Sequence, residues 1–367
     1  MKIRVLQENL VKALSDALKS VPSKPQIPIL SCVLLTAKQG KLHIRATDLS
    51  VGIHIAIGGK ILEEGDFAVS AKVFYDAISS LKAGAIDLEV DDVKMSIVSS
   101  GASLSVQGFD SREFPPFPKI PEDGIELSLQ DFSNLLEFGG IASGVDETRP
   151  VFSSVLFERD TRWVAVVATD GYRLSRKEIP IKGGDLRSVM APAKVMREVH
   201  RIFERLSPKT VKITFSEDAG QMFFYTDDCE VAVRIIDSEY PSYSAIVPQE
   251  CEIEAQISVE ELTSAIKTAM VFSKDVSGVI TLHLTKEHMQ VTSNSASGES
   301  TLEVEGKLEK GDGGAISFNG KYLLDLLSAL KIKTVKFGMN ESLKPGIFTS
   351  NEIQGFYYVV MPFRVQT

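Results

Sequence analysis

Six segments of the chain place apolar residues at three- and four-residue intervals, the spacing that gathers them on one face of a helix. These segments come in pairs along the sequence: 7–21 with 70–82, 129–143 with 191–206, and 258–273 with 319–331. Between them, short runs such as KLHIRAT, TVKITFSE and QMFFYTDD alternate apolar and polar residues, as strands with one buried face do. The helices and strands do not alternate strictly, so the pattern predicts an α+β fold.

The same arrangement recurs along the chain. The segment IRATDLSVGI (44–53) resembles VVATDGYRLS (166–175), and both resemble QVTSNSASGE (290–299). The spacing between these three anchors is about 120 residues, which is the size of a whole domain rather than of a solenoid repeat. The chain is therefore predicted to contain three similar domains.

The ends of the first two repeats also correspond. FDSREFPPFP (109–118) parallels IDSEYPSYSAIVP (236–248) in its Asp-Ser pair, its aromatic residues and its prolines. We therefore predict domain boundaries near 122 and 249. The three predicted domains are 1–122, 123–248 and 249–367.

Composition sets the class of protein. The chain has 367 residues, of which 44% are hydrophobic and 24% charged, as in ordinary globular proteins. The first residues, MKIRVLQENLVKAL, lack the apolar core of a signal peptide, and no apolar run approaches the roughly 18 residues of a membrane span. The cysteines, Cys32, Cys229 and Cys251, are odd in number and far apart. They are expected to be buried free thiols in a reducing compartment, and the protein is expected to be cytoplasmic.

Motifs for catalysis are missing from the sequence. The segment GGKIL (58–62) lacks the first glycine and the Ser or Thr of a phosphate-binding P-loop, and there is no Gly-x-Ser-x-Gly motif. The five histidines form no pair with metal-ligand spacing. The acidic pairs at 91–92 and 227–228 fall where solvated turns are expected. We therefore expect a protein that is not an enzyme and that needs neither a metal nor another cofactor.

The segment VAVVATDGYRLSRKEI (164–179) has two possible interpretations. It predicts a hairpin, with Asp170 and Gly171 at the turn, and the turn alone could explain these residues. Neither of the other two repeats carries Gly-Tyr-Arg after the anchor, however, so the fold does not require this triplet. Tyrosine and arginine are enriched at binding hot spots, which makes the turn a candidate binding site.

The distribution of charge also allows two interpretations. A net charge of −9 argues against nucleic-acid binding unless the basic residues are gathered on one face. The helical segment 191–206 has such a stripe of basic residues, and Lys12 of the first helical segment adds a further positive charge. The stripe could be an ordinary solvated helix face, or a surface that contacts phosphates without reading bases. Its members are Lys194, Arg197, Arg201 and Arg205.

Over its whole length, the sequence resembles the bacterial DNA polymerase III beta subunits, the replicative sliding clamps. The resemblance rests on KPQIPIL (24–30) with ATDLS downstream, on VVATDGYRLS, on EYPSY (239–243) and on YYVVMPFR (357–364). It implies the DNA clamp fold, in which two chains of three domains join head to tail as a ring around duplex DNA. In that fold antiparallel sheets form the outside and helices line the central hole.

The resemblance also implies a pocket that binds short peptide motifs of the polymerase alpha subunit, the clamp loader and other replication or repair proteins. The pocket residues carried over by position are Phe152, Thr169, Gly171, Tyr172, Arg173, Leu174, Pro241, Ile246, Val359, Val360, Met361, Pro362, Phe363 and Arg364. The sequence departs from the family at Tyr172, Ala245 and Pro345, where histidine, arginine and serine respectively occur in relatives.

For DNA, the resemblance implies Lys24, Arg149 and the basic residues Lys12, Lys194, Arg197, Arg201 and Arg205. For the homodimer, it implies an apolar contact of Leu104 and Val106 of one chain with Val271 and Phe272 of the other. The expected function is that of a non-catalytic processivity factor. A DNA-independent scaffold that binds peptides through the same turn is the alternative, and a hydrolase or transferase is a more distant one.

Overall fold

The structure is a computed structural model, and it describes residues 1–181, 188–216, 220–273, 278–296 and 298–364. These residues form two compact units. As far as they are described, unit 1 comprises 1–129 and 198–235, and unit 2 comprises 130–181, 188–197 and 236–364. No helix among the described residues is long and apolar enough to cross a membrane.

All six predicted helices are present. They are α1 (Gln7–Ala17), α2 (Ala71–Ser79), α3 (Leu129–Gly139), α4 (Ala193–Leu206), α5 (Val259–Phe272) and α6 (Gly320–Ala329). The predicted segment 7–21 is longer than α1 because the chain tightens into a 3₁₀ turn at Leu18–Ser20. Strands flank the helices throughout, which confirms the α+β class.

Unit 1 contains a 13-stranded antiparallel sheet. In chain order its strands are β1 (Lys2–Leu6), β2 (Cys32–Lys38), β3 (Lys41–Thr47), β4 (Val51–Gly58), β5 (Lys60–Glu63), β6 (Gly65–Ser70), β7 (Ala85–Asp91), β8 (Lys94–Ser99), β9 (Ala102–Phe109), β10 (Ile125–Ser128), β15 (Thr210–Ser216), β16 (Gln221–Tyr225) and β17 (Cys229–Arg234). The order across the sheet is β10-β15-β16-β17-β4-β3-β2-β6-β9-β8-β7-β1-β5. The pairing of β4 with β17, with Gly52 opposite Ala232, joins two segments that are far apart in the sequence.

Unit 2 contains two antiparallel sheets. Its strands are β11 (Ser154–Arg159), β12 (Trp163–Thr169), β13 (Arg173–Pro180), β14 (Val189–Pro192), β18 (Ile253–Ser258), β19 (Val279–Leu284), β20 (Met289–Ser295), β21 (Gly298–Val304), β22 (Gly306–Lys310), β23 (Gly314–Asn319), β24 (Thr334–Met339), β25 (Gly346–Thr349) and β26 (Phe356–Val360). One sheet has the order β14-β11-β12-β13-β26-β25-β24-β18-β22, and the other β21-β20-β19-β23. Here β13 pairs with β26, and Leu174 lies opposite Val359.

Helix α4 shows how the sequence pattern becomes packing. Met196, Val199, Ile202 and Phe203 are buried, because their three- and four-residue spacing puts them on one side of the helix. The basic stripe lies on the exposed side. The three cysteines are free and buried, as predicted, and burial raises the pKa of the Cys229 thiol to about 12.

Ser175 on β13 fastens the strand to the end of α3. Its hydroxyl is buried, donates to the carbonyl oxygen of Gly139 at 2.6 Å and accepts from the backbone N–H of Ala142 at 3.0 Å. A single side chain thus satisfies two backbone groups that are shielded from water. Strand β13 begins at the Asp170-Gly171 turn that the sequence singled out. The two Ser175 hydrogen bonds therefore also hold that turn against α3.

Replacing Ser175 with alanine is expected to destabilise the fold by about 1–3 kcal/mol, because both backbone groups lose their partner in a buried position. The free energy of unfolding in urea measures the change. Ser328→Ala is the control, since the Ser328 hydroxyl is exposed and donates to the carbonyl oxygen of Leu324 in its own helix. Equal stability of the two variants would show that the Ser175 contacts contribute nothing.

Candidate functional site: the β12–β13 turn

The turn between β12 and β13 is built by two short side chains. Thr169 donates to the carbonyl oxygen of Arg173 at 2.7 Å and accepts from the N–H of Gly171 at 3.1 Å. Asp170 Oδ1 accepts from the N–H groups of Tyr172 and Arg173 at 2.9 and 3.1 Å. Gly171 has a φ of +94°, a left-handed conformation that glycine adopts without strain.

The first repeat makes the same turn with different residues. Thr47 donates to the carbonyl oxygen of Val51 and accepts from Leu49, and Asp48 accepts from Ser50 and Val51. Leu49 stands where Gly171 stands in the second repeat, and has a φ of +72°. The inference that the fold does not require Gly-Tyr-Arg is therefore correct, and the triplet is specific to the second repeat.

Beside this turn, β13 and β26 form an apolar floor. Leu174 and Val359 are buried in one cluster with Leu156, Val167 and Met190. Partly buried hydrophobic residues pack on the cluster: Val151, Ile236, Tyr240, Tyr243, Val247, Ile347 and Tyr357. The floor is rigid, because its central members belong to paired strands.

Large apolar side chains remain exposed around the floor. Tyr172 is 60% exposed, Phe363 42% and Ile246 36%. Val360 is buried, and Met361 and Pro362 are partly buried. Exposed apolar groups around a buried apolar floor are typical of a docking groove for side chains of a partner. We call the surface that is formed by Phe152, the β12–β13 turn and the carboxyl-terminal residues up to 364 the unit 2 groove.

The carboxyl-terminal segment is held in the groove by its backbone. Met361 donates its N–H to the carbonyl oxygen of Tyr172 at 2.8 Å, and Phe363 donates to Ser317 at 2.7 Å. Tyr172 also stacks on Tyr322, with ring centroids 6.5 Å apart and planes inclined by 19°. The structure therefore brings together the turn and residues 361–364, which the sequence separates widely.

Arg173 lies below the surface of the groove. Only 8% of the residue is exposed. Its guanidinium donates to Asp170 at 2.9 Å, to Asp325 at 2.6 Å and to the Tyr358 hydroxyl at 3.2 Å, and it lies 4.6 Å from the centre of the Tyr322 ring. Arg173 thus positions the turn, whereas its place in the sequence next to Tyr172 indicated a surface contact.

The charges around Arg173 compensate for its burial. Burial alone would lower the pKa of Arg173, but Tyr358, Asp325 and Asp170 outweigh that effect and raise the pKa above its usual range. Burial raises the pKa of Tyr358, and the nearby Arg173 guanidinium offsets part of the increase. Removing either partner would leave a buried polar group without compensation.

Sequence reasoning missed Asp325, Tyr322 and Tyr358 as members of the site. Tyr358 has a weak sign in the sequence, because it shares one face of β26 with the apolar residues Phe356 and Val360, which favours burial. Its hydroxyl donates to the carbonyl oxygen of Tyr322 at 2.9 Å. For Asp325 and Tyr322 on α6 the local sequence holds no sign, since only the packing brings them to the turn.

Phe152 lies against the β12–β13 turn. The Phe152 ring lies 3.7 Å from the position that a Cβ at Gly171 would occupy, and Pro241 is exposed. Arg149 lies over the Phe152 ring, with its guanidinium carbon 4.2 Å from the ring centre. Arg149, assigned to DNA by resemblance, therefore contacts a residue that is assigned to the peptide pocket.

The remaining basic residues assigned to DNA lie on exposed surfaces, and several have an acidic neighbour. Lys12, Lys24, Lys194, Arg197 and Arg201 are exposed. Lys194 pairs with Glu147 at 3.2 Å, Arg201 pairs with Glu198 at 2.7 Å, and Arg205 pairs with the buried Asp16. Burial lowers the pKa of Arg205.

Two strand edges carry the residues assigned to the dimer. Strand β9, with Leu104 and Val106, pairs with β8 over residues 102–107 and meets β6 only at its last two residues. Strand β21 has one neighbour, β20, in the part of the chain that the structure describes. Phe272 at the end of α5 packs over Gly298 of β21, and the adjacent Val271 is 60% exposed.

Among the described residues, no cluster of three or more His, Cys, Asp or Glu side chains could hold a metal ion.

Models of the three domains of the DNA polymerase III beta subunit match almost the whole chain. The N-terminal domain model matches residues 1–118, the central domain model 126–242 and the C-terminal domain model 244–364. The family resemblance that was predicted from short motifs is therefore confirmed along the chain.

Individual relatives agree. The chain is 28% identical to a beta sliding clamp of Synechocystis and 26% identical to one of Streptomyces coelicolor, with complete coverage of both chains in each case. The crystal structure of the DNA polymerase III beta subunit of Thermotoga maritima matches with a TM-score of 0.89 at 25% identity, again over the whole of both chains. This chain belongs to the family of DNA polymerase III beta subunits, the beta sliding clamps, and is a non-catalytic processivity subunit with the α+β clamp fold.

Proposed function

We propose that two copies of this chain join head to tail around duplex DNA and that the unit 2 groove tethers the polymerase to the ring. The groove is the observation that carries the proposal, because it combines a rigid apolar floor with exposed apolar side chains. We also propose three domains, 1–122, 123–248 and 249–367. The matches of the family models support these limits, since they end and begin close to the proposed boundaries.

The groove is suited to a short peptide with two neighbouring apolar side chains. Burying each of these would contribute about 1.5–3 kcal/mol, which leaves an affinity of roughly micromolar after the cost of association. Tyr172, Ile246 and Phe363 offer exposed apolar surface for them. The proposed peptide-binding residues remain the set that the family resemblance assigns, with Arg173 as a positioning residue within it.

Contacts with DNA are proposed for the basic residues of the same resemblance. The number of these basic residues and the acidic neighbours of several of them favour weak, salt-dependent phosphate contacts rather than tight binding. Weak contacts are sufficient for a ring, because a closed ring is retained by its topology. They also permit the ring to slide.

The dimer is proposed to form between the β9 edge of one chain and the β21 edge of the other. Both edges expose backbone groups that another strand can pair with. Leu104 and Val106 alternate along β9 as partly exposed residues, so they can cover Val271 and Phe272 of a second copy.

Further partners follow from the chemistry of assembly. A closed ring needs an external, energy-consuming loader to open it on DNA, and the sequence contains no phosphate-binding P-loop of its own. We therefore propose a clamp loader and the polymerase alpha subunit as partners. The three buried free thiols favour a reducing compartment, and we propose the cytoplasm.

The function is tested by retention on nicked circular DNA after loading by a bacterial clamp loader. We expect the protein to stay on the circle and to be released when the circle is cut to linear form, because a ring slides off free ends. Retention is measured by gel filtration of labelled protein with the DNA. Equal retention on circular and linear DNA would indicate direct binding, and a failure to load on either would favour the scaffold alternative.

The groove is tested with Phe363→Ala and Arg173→Ala. Both variants are expected to weaken binding of a peptide with adjacent leucine and phenylalanine residues by about tenfold or more, Phe363→Ala through lost apolar contact and Arg173→Ala through a displaced turn. Fluorescence anisotropy of a labelled peptide measures the affinity. Leu49→Ala changes the equivalent turn of the first repeat and is the matched control. The groove assignment is wrong if both groove variants bind the peptide as tightly as the unchanged protein does.

The dimer contact is tested with Phe272→Asp. The new carboxylate would have to be buried against apolar residues without a partner, so we expect monomers at micromolar concentration. Light scattering coupled to gel filtration measures the mass. Val73→Asp, which places the same charge on an exposed valine of α2, is expected to leave the dimer intact. A Phe272→Asp protein with the mass of two chains would refute this contact.

A further inference from the structure

Unit 1 contains a cavity at the position that corresponds to the unit 2 groove. The equivalent turns align Thr47 with Thr169, and the two strand ladders then align Gly52 with Leu174 and Ala232 with Val359. Two large apolar residues of the unit 2 floor are thus replaced by glycine and alanine. Gly52 and Ala232 line a cavity of about 140 Å³ in unit 1, beside the Phe117 ring.

The walls of this cavity are apolar and rigid. The segment Phe-Pro-Pro-Phe-Pro (114–118) forms one side, together with Leu49 from the turn. Phe114 is anchored in a buried cluster with Ile29 and Leu30, and the Phe117 ring lies 3.3 Å from the position that a Cβ at Gly52 would occupy. Because proline limits the movement of the wall, the cavity is formed before any ligand enters.

Two polar groups of the cavity lining have no partner. Arg45 corresponds to the apolar Val167 of unit 2. Arg45 lies two residues before Thr47, and Val167 lies two residues before Thr169. Within the described ranges, Arg45 Nε and Gln221 Oε1 are both shielded from solvent and form no hydrogen bond. Such groups are costly to bury unless a ligand or water satisfies them, which separates this cavity from an ordinary packing defect.

We propose that the unit 1 cavity is a second binding site, which takes a small apolar molecule bearing a carboxamide or carboxylate group. The carbonyl oxygen of the ligand accepts from Arg45 Nε–H. Gln221 contacts the rest of the ligand's polar group, because its side-chain amide can accept from a carboxamide or, when rotated, donate to a carboxylate. The apolar part of the ligand packs on Leu49 and Phe117.

The volume defines the size of the ligand. A cavity of about 150 Å³ lined by apolar residues holds a benzene-sized molecule. The unit 1 cavity is therefore too small for two apolar side chains of a peptide, which is what the unit 2 groove is proposed to bind. The site therefore selects one ring or a short branched chain with its carbonyl group. This proposal is independent of the tethering function, since it requires neither DNA nor a dimer.

Benzamide and benzoate are the probes, and toluene, which lacks the carbonyl group, is the comparison. Binding to the full chain is measured by protein-observed NMR of ¹³C-methyl-labelled leucine, which reports on Leu49. We expect benzamide, benzoate or both to bind with millimolar or tighter affinity, and toluene to bind about tenfold more weakly or worse. Tighter binding of benzamide identifies a carboxamide site, and tighter binding of benzoate a carboxylate site.

Two variants test the polar contacts. Arg45→Val introduces the residue that unit 2 has at the same register, and Gln221→Met keeps the size of the side chain without its amide. Each is expected to weaken binding of the preferred probe by about tenfold while toluene binding is retained. If Arg45→Val does not fold, Gln221→Met alone carries the test. Ser328→Ala is the control and is expected to leave probe binding unchanged, because Ser328 is exposed and is not part of the cavity lining.

Three results would overturn the proposal. The first is the absence of probe binding at millimolar concentration, which would mean that the cavity holds only water. The second is equal affinity for toluene and the carbonyl compounds. The third is unchanged probe affinity in both Arg45→Val and Gln221→Met. None of them affects the tethering function, which is measured with DNA and peptide.

Discussion

The structure depends on an antiparallel ladder that recurs in both units. In each unit, a strand that follows the Thr-Asp turn of the repeat pairs with a strand from much later in the chain. In unit 1 it joins β4 to β17, and in unit 2 it joins β13 to β26. Its hydrogen bonds are made by the backbone, so they do not prescribe the side chains on the ladder. The anchor threonine and the following aspartate fix the entry into each ladder in the same way. One framework can therefore carry two different surfaces.

The differences between the ladders are concentrated at a few positions. Leu174 and Val359 fill the floor in unit 2, whereas Gly52 and Ala232 line a cavity beside the Phe117 ring in unit 1. Val51 occupies in unit 1 the place of Arg173, which in unit 2 is buried between Asp170, Asp325 and Tyr358. A buried charge is costly unless its partners are well placed, and in this cluster two carboxylates and a hydroxyl surround the guanidinium. The effect of this cluster is to hold one geometry of the turn, which a groove for a partner requires.

Much of this architecture could be predicted from the sequence. The six helices follow from apolar periodicity, and the turn at 169–173 from the Asp-Gly pair that follows a continuous apolar strand. The burial of Arg173 could not be predicted, because its partners Asp325 and Tyr358 lie in another part of the sequence and are brought to it only by the β13–β26 ladder and by α6. The unit 1 cavity could not be predicted from the sequence either, because an alternating pattern does not reveal that Gly52 and Ala232 lie opposite each other.

The acidic composition can be reconciled with an association with DNA when the kind of retention is considered. A protein that holds DNA by affinity needs many uncompensated basic residues, because each phosphate contact adds to binding. Here the net charge is −9, and Lys194, Arg201 and Arg205 each have a carboxylate neighbour. A closed ring needs no such affinity, and strong phosphate contacts would slow its movement along the duplex. For the basic residues of α4 that are proposed to face DNA, compensated charges are therefore what a sliding function favours.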